Sequence, residues 1–131
     1  MASQIRDLRP QYPVIEFVVQ GSFAYDESLA VVAEGTRLQE AEGILLGLVD
    51  ATRVVHATAT QDVLALANEV ARVGRPAGWK QAFIRPEDTF AAMSVSFYET
   101  AARNRGLDVR VFADRQEALD WLMDGVAEQA T

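Results

Sequence analysis

The feature that most constrains the fold is an uninterrupted apolar run at Ile44–Val49, near the middle of the chain. Because none of its residues is polar, both faces of the segment need to be covered, which is typical of a central strand in a parallel sheet. Asp50 marks the expected end of this strand, and residues 51–59 form the expected connection to the next helix. The run therefore predicts a buried strand with helices on both faces of its sheet.

Strand-like and helix-like patterns alternate on either side of this run. Strands are predicted at 14–20, 79–85 and 107–112, with a short edge strand at 3–9 that could pair with 14–20 as a hairpin, and helices at 25–43, 60–72, 86–105 and 114–124. The order (β)βαβαβαβα predicts a single α/β domain over residues 1–131, with a mostly parallel sheet of four to five strands flanked by helices. We expect a core at about 3–124 and a frayed tail at 125–131.

Local signals mark the ends of the first and last helices. Asp26 is the predicted N-cap of the first helix, and Gly43 is expected to end it. Gly35 weakens the interior of that helix, so we expect a bend or a break there. Asp114, followed three residues later by Glu117, predicts the start of the last helix.

The connection after the central strand ends in Thr58-Ala59-Thr60-Gln61, where the second helix is expected to begin. Thr58 and Gln61 fit a capping box, and Thr60 is a second candidate cap. A helix N-terminus presents free N–H groups and partial positive charge, so an anion or an acidic partner group could dock here. The carboxyl ends of parallel strands meet at one edge of a sheet, which predicts that other loops lie near this one. The residues of those neighbouring loops are Ser22, Tyr25, Arg85 and Asp88.

Aromatic residues in the last two helices are predicted to build the core. Phe90 and Phe97 share one side of the third helix with Met93, and Trp121 lies on the apolar stripe of the last helix. Tyr98 lies about 100° around the helix from Phe97, so its side chain is expected to border a groove.

The chain carries no signature of catalysis or of cofactor binding. The loops after the predicted strands are not glycine-rich, which disfavours a nucleotide phosphate site. His56 is the one histidine, cysteine is absent, and no serine lies on a nucleophile elbow. We therefore expect no enzyme activity, no cofactor and no metal site, and we interpret His56 as a polar residue on a connecting segment.

Charge excludes two further classes of partner. The net charge is −7, and Lys80 is the sole lysine beside eleven arginines that form no basic run. A nucleic-acid partner is therefore not expected, and an anionic membrane surface would repel the chain. The first ten residues lack an apolar stretch of the kind found in signal peptides, and no run is long enough to span a bilayer. We expect a cytoplasmic protein without stable membrane insertion.

Three stretches of the chain resemble the SpoIIAA-like group of STAS-like proteins, small bacterial relatives of anti-sigma factor antagonists. They are LVDATRVVHATATQDVLALANEVA, WKQAFIRPEDTFAAMSVSFYETA and VRVFADRQEALDWL. The resemblance covers roughly residues 3–124 and implies a STAS or lipid-binding-protein-like α/β fold. In true antagonists a serine in the loop before the second helix is phosphorylated by a partner kinase. The matching register places Thr58 at that motif's Asp, Ala59 at the phosphoacceptor and Thr60 at the following serine, so the usual acceptor hydroxyl is missing.

Three functions follow in order of preference. The first is a non-catalytic protein-interaction or regulatory domain that lacks the usual phosphoserine switch, although Thr58 or Thr60 could accept a phosphate instead. The second is a binding protein for a small apolar or lipid-like ligand, and the third is an enzyme. The candidate interaction or ligand loop comprises Asp50, Thr58, Ala59, Thr60 and Gln61. The expected partner is an unidentified protein or a small apolar ligand, and the edge at 3–9 could also pair with a second copy.

Overall fold

The computed structural model describes residues 2–22 and 24–126, and the side chains of residues 2, 3 and 22 lie outside that description. The described elements are β1 (Ala2–Asp7), β2 (Val14–Ser22), α1 (Tyr25–Glu42), β3 (Leu46–His56), α2 (Thr60–Arg72), β4 (Lys80–Ile84), α3 (Thr89–Asn104), β5 (Val109–Phe112) and α4 (Arg115–Met123). Most of the predicted tail, residues 127–131, lies outside the described residues. None of the described helices combines the length and the apolar character needed to cross a membrane.

The strands form one mixed sheet in the order β1-β2-β3-β4-β5. β1 pairs with β2 antiparallel, which confirms the predicted hairpin, and the other three pairings are parallel. From β2 to β5, each parallel strand is added on the same side of the strand before it. The crossovers between parallel strands have the same, right-handed sense, so α1, α2 and α3 lie on the same face of the sheet. α4 follows the last strand and covers the other face.

β3 shows why the apolar run at Ile44–Val49 needs two covering layers. Leu46 and Leu48 point into a core cluster shared with α4, whereas Val49 and Ala51 belong to the larger cluster that packs against α2 and α3. Successive residues of a strand face opposite sides of a sheet, so an uninterrupted apolar run fits a strand buried on both faces. The prediction of a central strand with helices on both faces is confirmed.

The end of this strand was predicted wrongly at Asp50. β3 continues to His56 and stays paired with β2 as far as Ser22↔His56, across two register shifts, between Val18 and Gln20 and between Gly21 and Ser22. Val54 in this extension is fully buried. His56 is therefore the last residue of a strand rather than part of an irregular connection, because strand pairing continues past the polar residue that interrupts the apolar run.

The predicted N-cap of α1 was wrong, and the helix does not break at Gly35. The N-cap is Ala24, which makes no side-chain cap hydrogen bond, and Asp26 lies within the first turn instead. The helix runs without interruption through Gly35, where a Cβ atom would come within 3.3 Å of the Phe17 ring. The glycine therefore allows α1 to approach β2 closely. Gly43 ends the helix as predicted, with a left-handed φ of 69°.

The faces of α3 are reversed relative to the sequence prediction. Phe90 and Phe97 are exposed rather than in the core, and Met93 is exposed beside them. Tyr98, predicted to edge onto a groove, is 5% exposed and packs in the larger core cluster with Val95. Both faces of this helix carry large apolar residues, so its helical periodicity did not decide which one meets the sheet.

α4 follows its predicted pattern. Asp114 is the N-cap, and its carboxylate accepts a hydrogen bond from the Glu117 backbone N–H at 3.1 Å. Leu122 is fully buried against β3 and β4, and the half-buried Trp121 ring lies 5.6 Å from the ring of Phe112 on β5. These contacts hold α4 on the face of the sheet opposite the other three helices.

Candidate functional site

A cavity of about 40 Å³ lies where the N-terminal parts of α1, α2 and α3 meet. This position is beyond the carboxyl ends of the parallel strands, the usual place for a ligand in an open α/β sheet. Its lining is mostly apolar, with Phe83 and Val95 among the core residues that border it. We call this space the three-helix cavity. Its polar lining residues are Tyr25, Ser28, Thr58, Asp62, Ser94 and Tyr98.

Ser28 is the unusual residue of the three-helix cavity. Its side chain is 5% exposed, and its Oγ makes no hydrogen bond with the described residues. A buried hydroxyl without a partner costs about 1–3 kcal/mol, so most such groups in proteins are paired. Ser28 was not among the residues predicted from the sequence. Its only signal there is the lower helix propensity of serine relative to alanine.

Tyr98 borders the same cavity from α3. Its hydroxyl donates a hydrogen bond to Gln81 Oε1 at 3.1 Å, and its ring centroid lies 5.4 Å from that of Phe83. Burial raises the pKa of Tyr98 far above its ordinary value, and the guanidinium of Arg75 opposes this increase. The phenol is therefore neutral and held in place, which suits a structural wall of the cavity.

The loop before α2 is fixed to α3 rather than closed by a capping box. The Thr58 backbone N–H donates to Ser94 Oγ at 2.9 Å, and Ser94 Oγ donates in turn to the Thr58 carbonyl at 3.4 Å. The N-cap of α2 is Ala59, whose carbonyl accepts from the N–H groups of Asp62 and Val63. The predicted capping roles of Thr58 and Thr60 are therefore wrong, because the helix begins one residue out of register with the proposed box.

The structure brings together only two of the predicted loop residues. Thr58 lines the three-helix cavity, and with Thr60 it also lines an open depression of about 230 Å³ between α2 and α3. Ala59 and Gln61 are exposed and line none of the described cavities that border α2. Asp50 points to the opposite face of the sheet, the face that carries Leu48, because it lies two residues further along the strand.

The predicted residues of the neighbouring loops also lie on separate surfaces. Tyr25 lines the three-helix cavity, and the Ser22 side chain lies outside the described residues. Asp88 is the N-cap of α3, and its carboxylate accepts from the Ala91 N–H at 2.9 Å. Arg85 lines a second open depression, of about 600 Å³, along the outer face of α3. The structure therefore brings Tyr25 and Thr58 together and places Arg85 on a separate surface.

The outer face of α3 exposes an apolar strip, although Phe90 and Phe97 in it were predicted to lie in the core. The exposed fractions are 69% for Phe90, 64% for Met93 and 40% for Phe97. The two open depressions meet along this strip, since Met93 and Phe97 line both of them. Leu64 of α2 borders the same surface. We call the surface formed by Leu64 and the three strip residues the α2–α3 groove.

On the other face of the sheet, Glu16 and Arg115 form a bidentate ion pair. The Glu16 side chain is fully buried on β2, and its two oxygens accept from Arg115 Nη1 and Nη2 at 2.6 and 2.7 Å. Glu16 raises the pKa of Arg115 through these hydrogen bonds, and Asp50 adds a smaller attraction. Asp50 Oδ1 itself accepts from the N–H and the hydroxyl of Thr52. The arrangement fixes the first residue of α4 to the sheet.

Among residues 2–22 and 24–126, no three histidine, aspartate or glutamate side chains cluster in a way that could hold a metal ion. Comparison of the chain with protein-family models, with curated proteins and with solved structures gave no match.

Proposed function

We propose that this chain is a non-catalytic protein-interaction or regulatory domain of the cytoplasm, and that its α2–α3 groove contacts the partner. The observation that carries the proposal is the exposure of Phe90, Met93 and Phe97 on one helix face. Aromatic residues and methionine are enriched in protein interfaces, and contiguous exposed apolar patches mark interaction sites. Covering the exposed fractions of these side chains offers about 3–5 kcal/mol before the entropic cost of association.

The resemblance to STAS-like proteins of the SpoIIAA-like group supports a regulatory role of this kind. Ala59, at the position of the usual phosphoacceptor, cannot be phosphorylated. Thr60, immediately after that position, lines the smaller depression together with the groove residues Phe90, Met93 and Phe97. A partner on the groove would therefore lie beside the loop that antagonists use, and its binding would need no phosphoserine switch.

The proposal is tested by affinity capture from an extract of the source cells, followed by quantitative mass spectrometry. The wild-type chain is compared with the variant Met93→Ser/Phe97→Ser and with the control Ile5→Ser, which removes a similarly exposed apolar side chain from β1. We expect at least one protein to be captured by the wild type and the control and lost from the double variant. Equal capture by all three proteins contradicts the proposal.

A second function, binding of a small apolar ligand, is favoured by the three-helix cavity. Its lining is mostly apolar, and the Ser28 hydroxyl is buried there without a partner among the described residues. A volume of about 40 Å³ holds only a few heavy atoms, since one water needs about 10–15 Å³. The ligand would be a small apolar group with one hydrogen-bonding function. Native mass spectrometry of the purified protein tests this function, and protein that stays empty under gentle conditions contradicts it.

A further inference from the structure

The α2–α3 groove carries positive charge in an acidic protein, and this contrast identifies the chemistry of its partner. We propose that the groove binds an acidic amphipathic segment of another protein, with apolar residues at its centre and carboxylates at its ends. The inference rests on the proposed function and adds the charge and the length of the partner segment.

The charged residues that border the groove have one sign. Arg85 and Arg105 line the larger depression, and no carboxylate of the described residues lines either depression. The whole chain has a net charge of −7, so a surface lined by these two arginines, with no described carboxylate beside them, departs from the average surface. Potentials at interfaces are arranged to be complementary, which favours a partner that carries acidic groups.

Both arginines keep their charge available for a partner. Neither forms an ion pair with a described residue. Arg105 donates to neutral acceptors, Asn68 Oδ1 at 2.6 Å and the Ala101 carbonyl at 2.8 Å, which hold its guanidinium beside the C-terminal end of α3. Arg85 is exposed, and its backbone N–H is anchored to the Phe112 carbonyl at 2.8 Å.

The nearest carboxylates of α3 are already occupied elsewhere. The Asp88 carboxylate caps the helix through the Ala91 N–H. The Glu99 carboxylate accepts from the Val111 N–H at 2.6 Å, on the side of α3 that meets β5. Neither carboxylate lines the two depressions or forms an ion pair with Arg85 or Arg105. The same holds for Glu87, which is exposed two residues after Arg85.

The spacing of the arginines sets the length of the partner segment. Arg85 precedes α3 by a few residues and Arg105 follows its last residue, so the apolar strip lies between them. The 16 residues of α3 span about 24 Å. A partner helix of about 16 residues, or an extended segment of about seven, covers this distance. Its acidic groups would meet the arginines while its apolar residues cover the strip.

The test uses two fluorescently labelled peptides of about 16 residues with the same apolar helical face, one with glutamates at both ends and one with lysines. Binding is measured by fluorescence anisotropy at low and at high salt. At low salt we expect the acidic peptide to bind at least about tenfold more tightly than the lysine peptide, because each charge pair at the rim of the groove changes the affinity about two- to fivefold. Arg85→Glu should weaken acidic-peptide binding about fivefold. Arg103→Glu, an exposed residue of α3 that lines neither depression, should leave acidic-peptide binding unchanged.

The possible outcomes separate this inference from the proposed function. Equal binding of both peptides, abolished by Met93→Ser/Phe97→Ser, retains the groove as an interaction surface and overturns its preference for acidic partners. Failure of both peptides to bind at millimolar concentration overturns the inference, while the capture experiment still decides the proposed function. Two other results also overturn it. One is a concentration-dependent dimer of the chain that is lost on Phe97→Ser, and the other is binding to phosphatidylcholine vesicles through the same strip.

Discussion

We predict that replacing one residue of the buried ion pair between β2 and α4 destabilises the protein more than replacing the other. Glu16 is fully buried, whereas the Arg115 side chain is 43% exposed. If Arg115 is replaced by Met, the carboxylate stays in the sheet without its two hydrogen bonds. If Glu16 is replaced by Met, the guanidinium is already near the surface and can turn into water. The two single variants break the same ion pair but leave different groups behind.

The magnitudes follow from what each variant leaves buried. Breaking a buried pair by removing one partner costs about 3–5 kcal/mol. The partial exposure of Arg115 puts Arg115→Met at the lower end, at about 3 kcal/mol. Glu16→Met should cost about 1 kcal/mol, because the remaining charge is solvated and the methionine extends the apolar cluster on that face. The double variant should also lose about 1 kcal/mol, since it buries no charge.

Urea unfolding followed by circular dichroism gives these free energies directly. For a chain of 131 residues, 3 kcal/mol corresponds to a fall in Tm of about 10 °C. The control is Arg37→Met, which removes the exposed Arg37–Glu34 pair and should change stability by less than about 1 kcal/mol. The reasoning is refuted if Arg115→Met and Glu16→Met destabilise equally, or if the double variant is as unstable as Arg115→Met.

Three further predictions concern other parts of the chain. Ser28→Ala should stabilise the protein by about 1 kcal/mol in urea unfolding, because it removes an unpaired buried hydroxyl; a loss of stability would show that the hydroxyl has a partner. Gly35→Ala should stabilise the protein by about 0.5 kcal/mol, because the gain in helix propensity exceeds the cost of a small shift of Phe17. The Phe17 ring can shift because it borders a cavity of about 70 Å³. A loss of stability above about 1 kcal/mol would contradict this prediction. Hydrogen bonds from Arg9 lower the pKa of Asp7 to about 2, so this contribution to stability is present above pH 4 and is lost as the pH falls toward 2. Wild type and Asp7→Asn should therefore converge in acid unfolding curves, and a constant difference down to pH 2 would argue against the pair.

The order of strands and helices could be predicted from local patterns. The apolar run at Ile44–Val49 indicated a strand covered on both faces, and Gly43 and Asp114 marked helix boundaries that the structure confirms. Such signals act over a few residues, since a cap or a left-handed turn depends on its immediate neighbours. The extension of β3 to His56 could not be read in this way, because it depends on pairing with a strand more than thirty residues away.

The position of the candidate site was decided by tertiary packing. Thr58 belongs to the loop selected from the sequence and lines the three-helix cavity, whereas the capping register, the buried Ser28 and the Glu16–Arg115 pair all depend on contacts distant in sequence. The charge of the groove is a similar case. Arg85 and Arg105 are separated by α3, and only the fold shows that they line one surface, to which no carboxylate of the described residues contributes.

The orientation of α3 shows most clearly what the sequence determined and what only the tertiary structure decided. The sequence determined that residues 89–104 form a helix with apolar side chains, but both of its faces were apolar enough to enter a core. The structure exposes Phe90 and Phe97 and buries the opposite face, which carries Ala91, Val95, Tyr98, Ala101 and Ala102. The three alanines let the helix approach its neighbours closely, and the Tyr98 ring packs against Phe83, so this face fits the close-packed interior. The aromatic strip therefore remains on the surface, where a partner can cover it.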